Sequence, residues 1–229
     1  MRVPYRWVLS TWGGLTRPFP GPPARRSALL VLSVLSVLSA PVMAQDTAAI
    51  DPRLPPAGFG SLRQEDVTVR LETPTFAVRV MPLDEAVVRL LAPDSYASLH
   101  RLRTTRAAEV MRAADQAAVT EPVLFAVTFF GLQHQARFEA EDVTITSRNR
   151  LFRPVAILPL SPRWHEQQLR QRETATALYV YESGIALFEP FTVSYGGLSS
   201  DHWDRVLPTL DRERAAVLAR AASGRRQPD

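Results

Sequence analysis

From Val67 onward the chain alternates apolar and polar residues: Val67, Val69 and Leu71 fall on one face, Thr68, Arg70 and Glu72 on the other. Thr73-Pro74 interrupts this alternation and Phe76, Val78 and Val80 resume it, so two half-buried strands are predicted. The period then changes. Pro82 stands where a first-turn proline is tolerated, and Asp84 and Glu85 lie near the positive end of a helix. Leu83, Val87, Leu90 and Leu91 give that helix an apolar face, and Pro93 is expected to stop it. A second helix is predicted from an N-cap at Asp94 to about Asp115. On one continuous helix Arg103 and Arg106 would lie among Tyr96, Leu99 and Val110. Either the helix breaks near Thr104-Thr105 or both arginines are partly buried against carboxylates, and the pattern allows both.

Residues 123–130 are apolar on both faces, as in a central strand. Arg137-Phe138 and Val143-Thr144-Ile145-Thr146 follow, split by an acidic turn with Glu139, Glu141 and Asp142. Segments 154–160, 175–182 and 190–195 are further strands, each bounded by Pro, Gly, Asn or Ser. Pro208 to Ala222 reads as a closing helix and 224–229 as a frayed tail. Ahead of the strands, 45–62 carries Pro52, Pro55, Pro56, Gly58 and Gly60 and reads as an extended tether. The expected fold is mainly β with helices: an antiparallel β-sandwich over 63–223, with a helical insertion at about 83–116 and a C-terminal helix. On its strand pattern, 123–196 resembles the immunoglobulin-like sandwiches found as accessory domains in exported bacterial proteins. That stretch has no inter-sheet cysteine pair and no Trp within its likely core strands. The resemblance implies an architecture and carries no residue-level function across.

Before the tether, residues 28–40 form an apolar run with three copies of Val-Leu-Ser, preceded by Arg25 and Arg26. A basic segment, a short apolar core and small residues at −3 and −1 (Val42 and Ala44) define a secretory signal peptide over 1–44. Cleavage is expected between Ala44 and Gln45, leaving an exported chain, periplasmic or extracellular. The run is shorter than the roughly 20 residues of a comfortable span, and Pro41 would break a helix there. An uncleaved anchor is the alternative; after cleavage no stable membrane span is expected. Ser27-Ala28 follow the arginine pair where a twin-arginine signal usually has stronger apolar residues, so general secretion fits better. The long Pro- and Gly-rich segment before Arg25 leaves open a start downstream of Met1.

Cleavage changes the charge argument. The whole chain is +4, but five of its 27 basic residues (Arg2, Arg6, Arg17, Arg25, Arg26) and none of its 23 acids precede Gln45. What remains has one acid more than its bases, so bulk basicity points to no nucleic-acid partner. The chain has no cysteine, which excludes thiol nucleophiles, thiolate zinc sites, iron–sulfur clusters and a lipidated N-terminal cysteine. Lysine is absent as well, every basic residue being arginine. That removes P-loop chemistry, Schiff-base chemistry and Ser-Lys dyads.

Candidate chemistry is sparse. His165-Glu166-Gln167-Gln168-Leu169 falls one histidine short of the zinc-protease motif, because Leu169 stands where the second imidazole is needed. A polar connection between strands is the plainer reading. Asp201-His202-Trp203-Asp204 would form a nitrogen and oxygen metal site if Asp201 and His202 met His165 and Glu166. Otherwise Trp203 packs the last helix and its polar neighbours cap it. No two of the four histidines have ligand spacing. No catalytic residue and no cofactor are therefore expected. Arg148, Arg150, Arg153, Arg163, Arg170 and Arg172 share a stretch whose one acid is Glu166. If their loops share one end of the sandwich they form a basic patch for an anionic glycan, lipid headgroups or an acidic protein. If not, they pair with Glu139, Glu141 and Asp142 across neighbouring strands. Trp164, Trp203, Tyr195 and the same-face pair Tyr179 and Tyr181 raise sugar stacking, which ordinary sheet packing explains equally well. No Gly-x-Ser-x-Gly elbow is present, and carboxylates such as Glu139 and Glu141 do not by themselves define a glycosidase. The leading expectation is a non-enzymatic exported domain that binds another envelope or extracellular protein. A metal-assisted hydrolase around His165 and His202, and a glycan-binding module using Trp164 and Trp203, are the alternatives.

Overall fold

A computed structural model describes residues 54–224. The expected leader and its cleavage point, the part of the expected tether up to 53 and the expected tail from 225 lie outside the described residues. The strands in chain order are β1 (Val69–Glu72), β2 (Phe76–Pro82), β3 (Val123–Gly131), β4 (Ala136–Arg137), β5 (Thr144–Ser147) and β6 (Arg150–Phe152). They continue with β7 (Ala156–Pro159), β8 (Gln168–Leu169), β9 (Thr174–Tyr181), β10 (Phe191–Tyr195) and β11 (Leu198–Ser200). Three helices join them: α1 (Glu85–Val88), α2 (Pro93–Gln116) and α3 (Trp203–Gly224).

The two strands predicted around Thr73-Pro74 are a hairpin. Thr73 closes it: its amide donates to the Phe76 carbonyl at 2.9 Å, and its hydroxyl accepts from the Phe76 amide at 3.0 Å. Antiparallel pairing extends this hairpin into a five-stranded sheet, β1-β2-β3-β9-β7. A second sheet runs β11-β10-β5-β6, and β4 pairs with β8. The fold is thus mainly antiparallel β with a few helices.

Alternation decides which side chains meet between the two large sheets. Phe125, Val127 and Phe129 of β3 are fully buried, and β10 answers with Phe191, Val193 and Tyr195. Phe125 meets Phe191 edge-on at 6.1 Å, and Tyr195 contacts Phe76 and Phe129, each at 5.5 Å. Tyr179 and Tyr181 belong to this core and form no exposed stripe. Their hydroxyls donate to the carbonyls of Ala140 (2.6 Å) and Val143 (3.0 Å), which satisfies polar tips that burial would otherwise penalise. Burial pushes both hydroxyls far above the ordinary tyrosine value.

The outer face of the five-stranded sheet is covered by α2, which lies against β7 and β9. Leu178 and Val180 point to that side and are still fully buried. Pro93 begins α2; it does not end the preceding helix. It occupies the first helical position behind an Ala92 cap, where its missing N–H costs nothing. The helix runs unbroken through Thr104-Thr105, with Arg103 against Glu85 and Arg106 against Glu109. α3 likewise begins before its proline. Trp203 stacks on Phe191 at 4.7 Å and donates Nε1–H to the Leu187 carbonyl at 2.9 Å, which secures the turn ahead of Pro208.

Residues 54–62 are docked and do not form a tether. Pro55 and Gly60 are buried, and Leu62 bridges Leu91 in parallel. The Ser61 amide and hydroxyl both donate to Glu213 of α3, at 2.8 and 2.9 Å. Gly60 passes so close to the Leu90–Leu91 backbone that a Cβ would overlap it. A glycine that reads as flexible in the sequence thus serves a close approach. No helix among the described residues is long and apolar enough to cross a membrane.

Candidate functional site

Strand register places two arginines where sequence distance would not suggest it. Arg70 of β1 lies directly opposite Arg79 of β2, Arg79 opposite Thr128 of β3, and Thr128 opposite Thr176 of β9. The four form one row across the outer face of the sheet. The two threonine hydroxyls are hydrogen-bonded at 3.0 Å. Arg70 reaches Glu72 at 2.7 Å, whereas Arg79 makes no hydrogen bond or ion pair among the described residues. Like charges directly opposite each other in a sheet are destabilising.

One step along the strands the outward residues turn apolar, with Met81 opposite Ala126. Leu99 and Leu102 of α2 face this floor from the side. A short 3-10 turn, Gln64–Val67, supplies the remaining wall through Gln64, Glu65 and the following Thr68. That turn is held by the Arg63 amide donating to Asp66 at 2.8 Å and the Thr68 hydroxyl donating to the Gln64 carbonyl at 2.6 Å. Together these residues enclose a groove of about 360 Å³. Its donors suit an anion and its floor suits an apolar group beside it.

On the far side of α2 a second groove of about 290 Å³ borders a charged cluster centred on Glu85. Glu85 accepts from Arg89 Nε at 2.8 Å, the Tyr96 hydroxyl at 3.1 Å and Arg103 at 2.5 Å, with His100 Nδ1 3.6 Å away. Burial by itself would raise its pKa. The Arg89 hydrogen bond, the Arg103 and Arg89 charges and the Tyr96 bond together outweigh this and hold it below the ordinary value. The same contacts act on Tyr96 in reverse: burial, then the Glu85 charge and hydrogen bond, push its hydroxyl up. Arg103 Nε is buried without a partner. Glu85 is therefore a fixed anion locking α1 to α2, with its lone pairs already engaged and poorly suited to accept a proton.

The residues singled out in the sequence are placed elsewhere. His165 and Glu166 sit in a 3-10 turn, Trp164–Glu166, where Arg163 Nε donates to Glu166 at 2.7 Å and keeps that carboxyl ionised below its usual range. Asp201 and His202 offer their backbone carbonyls to the amides of Asp204 and Arg205, both at 3.0 Å, at the start of α3. Among the described residues no group of three or more His, Asp or Glu is placed to hold a metal, so these four are not brought together. Trp164 is 4% exposed, packed against Phe129, Phe138 and Tyr179, and Trp203 is 0% exposed. Both indole faces are committed to the core, which overturns sugar stacking on them.

The arginine patch divides in two. Arg148 pairs with Glu189, and Arg150 pairs with Glu182 at 2.6 Å while its guanidinium lies 4.7 Å over the Phe152 ring. Arg153 borders a surface cleft with Glu141 nearby. Arg163 pairs instead with Glu166 and, at 3.0 Å, Glu173, and the Arg170 amide donates to Glu173 at 2.8 Å, with Arg172 in the same turn. Glu182 follows β9 and Glu173 precedes it, so the two groups are separated by an extended strand, about 30 Å. They do not share one end, and the ion pairs they form are not with Glu139 or Asp142.

Sequence reasoning missed Arg70, Arg79, Thr128 and Thr176. A signal for the first two existed: they lie at mirrored positions about the Thr73–Phe76 turn, which makes them cross-strand partners in a tight hairpin. Thr128 and Thr176 carry no such signal, being 48 residues apart. Comparison with known proteins finds no matching family model, no matching curated protein and no matching solved structure.

Proposed function

We propose that this chain is an exported, non-enzymatic binding domain that engages another envelope or extracellular protein through the groove beside α2. The observation that carries this reading is the Arg70–Arg79 pair. Two cations opposed across a hairpin cost stability, and Arg79 makes no ion pair among the described residues that would offset that cost. An anionic group of a partner, seated between them, turns the repulsion into attraction. Export rests on the leader ending at Ala44, and the accessory role on the immunoglobulin-like architecture that two facing antiparallel sheets support.

The test is crosslinking on intact cells that naturally make the protein, with mass spectrometry of its N-terminus and of what co-purifies. A chain beginning at Gln45 with one recurrent protein partner, lost in Arg79→Glu, is the expected result. Equal recovery of that partner with Arg79→Glu would sink the reading. So would steady turnover of a hydrolase substrate abolished by changing one polar residue.

A further inference from the structure

We infer that the groove beside α2 recognises a polypeptide C-terminus, gripping the free carboxylate at the Arg79–Arg70 row and seating an apolar last side chain over Met81 and Ala126. The inference rests on the binding reading above and names the part of the partner that is read.

Charge selects the head. Arg70, Arg79 and Glu65 line the groove, and Glu72 already holds Arg70. The lining thus carries a surplus of one positive charge, and because Glu72 outside it is spent on Arg70, the cation without an ion pair among the described residues is Arg79. A carboxylate, with one negative charge, matches Arg79. A phosphate monoester near its dianionic form would leave a charge uncompensated close to Glu65.

Spacing selects what is attached. The Arg79–Thr128 and Met81–Ala126 pairs are consecutive outward pairs of the same two strands, so their rows lie about 7 Å apart. That is the reach of one residue whose carboxylate and side chain point in different directions. The groove is also small, about 360 Å³, near the lower end for ligand sites, and is walled by the Gln64–Val67 turn and α2. It suits a chain end better than a segment running through.

Uncharged polar groups separate a peptide from a lipid acid. The Gln64 carboxamide has no partner among the described residues, and the Thr128–Thr176 hydroxyl pair keeps further acceptor capacity. A peptide brings amide groups for both. A fatty acid brings none and would cover them unsatisfied.

Calorimetric titration of the protein recovered from an exporting host tests this with three probes: the peptide Ala-Ala-Leu as free acid, the same peptide as C-terminal amide, and octanoate. The free acid is expected to bind, with affinity falling as salt rises. Amidation, or Arg79→Ala, is expected to weaken it about tenfold or more, the loss of one charge-assisted hydrogen bond. Arg79 is exposed, so its variant should fold, with an unchanged circular dichroism spectrum as the control. Equal affinity for acid and amide, insensitivity to Arg79→Ala, or tighter binding of octanoate than of the peptide would each overturn the inference. A crosslinked partner lost in Arg79→Glu but retained when its own C-terminus is extended by a short Gly-Ser tail would overturn this inference alone and leave the binding reading standing.

Discussion

Replacing Glu85 with Gln keeps the size of the side chain and one carbonyl acceptor but removes the charge that Arg89, Arg103 and Tyr96 surround. Glu85 and Arg89 side chains are each 17% exposed and Arg103 29%, so the cluster lies between a surface pair and a buried one. Exposed pairs contribute about 0–1 kcal/mol, and breaking a fully buried one costs about 3–5 kcal/mol. Glu85→Gln should therefore cost about 2 kcal/mol, aggravated by an Arg103 Nε that already lacks a partner. For a domain of this size that lowers the melting temperature by about 4–8 °C. The pH dependence has a definite sign. The folded-state pKa of Glu85 is depressed below its ordinary 4.5, so its contribution is present above that value and lost as pH falls through the folded one. Urea unfolding followed by Trp fluorescence, at pH 7 and near pH 3, should show a full gap between wild type and variant at the first and a closing gap at the second. A gap under about 0.5 kcal/mol at pH 7, or one unchanged at low pH, would refute the account. Because the groups act as a unit, Glu85→Met with Arg103→Met should cost less than the sum of the single changes.

In the absence of any partner, Arg79→Thr should raise stability by roughly 0.5 kcal/mol by relieving the pair with Arg70, with the gain shrinking in high salt; a loss measured by urea unfolding would remove the premise of the binding site. Trp203→Ala, which empties a fully buried site against Phe191, should cost about 3–5 kcal/mol in the same assay. Gly60→Ala should cost about 1–3 kcal/mol by forcing the docked segment off Leu90 and Leu91, and faster proteolysis near residue 60 would report its release. Tyr179 and Tyr181 should stay protonated when ordinary tyrosines ionise, because burial raises both. Absorbance of tyrosinate should show them titrating only with unfolding, since their raised values give a contribution fully present below the unfolded value and lost as pH rises through the folded one.

Much of the fold was legible because strand and helix periods are local. The alternation at Val67–Val80 and the apolar run at 123–130 became β1, β2 and β3, and Leu83, Val87, Leu90 and Leu91 became a fully buried face. Prolines misled at the margins. Pro93 and Pro208 read as boundaries, yet one opens α2 and the other lies inside α3, because a first-turn position and a buried Trp203 anchor offset their lost donors. Glycine misled in the same way at Gly60, where a missing side chain permits contact and not flexibility.

The candidate site was far less legible. Residue type and spacing drew attention to arginines 148–172 and to two tryptophans, but proximity in sequence does not survive a strand that carries the chain across the sheet. Folding sends those arginines to opposite ends of β9 and both indoles inside. It also sets Thr128 beside Thr176, and it leaves Arg79 with no ion pair among the described residues. By itself the sequence determined the kinds of chemistry open to this protein and the local elements, because composition and periodicity are carried by each residue and its near neighbours. Which charges face one another, and which aromatic rings water can reach, was decided only by tertiary structure, because long-range strand pairing and burial depend on the whole chain at once.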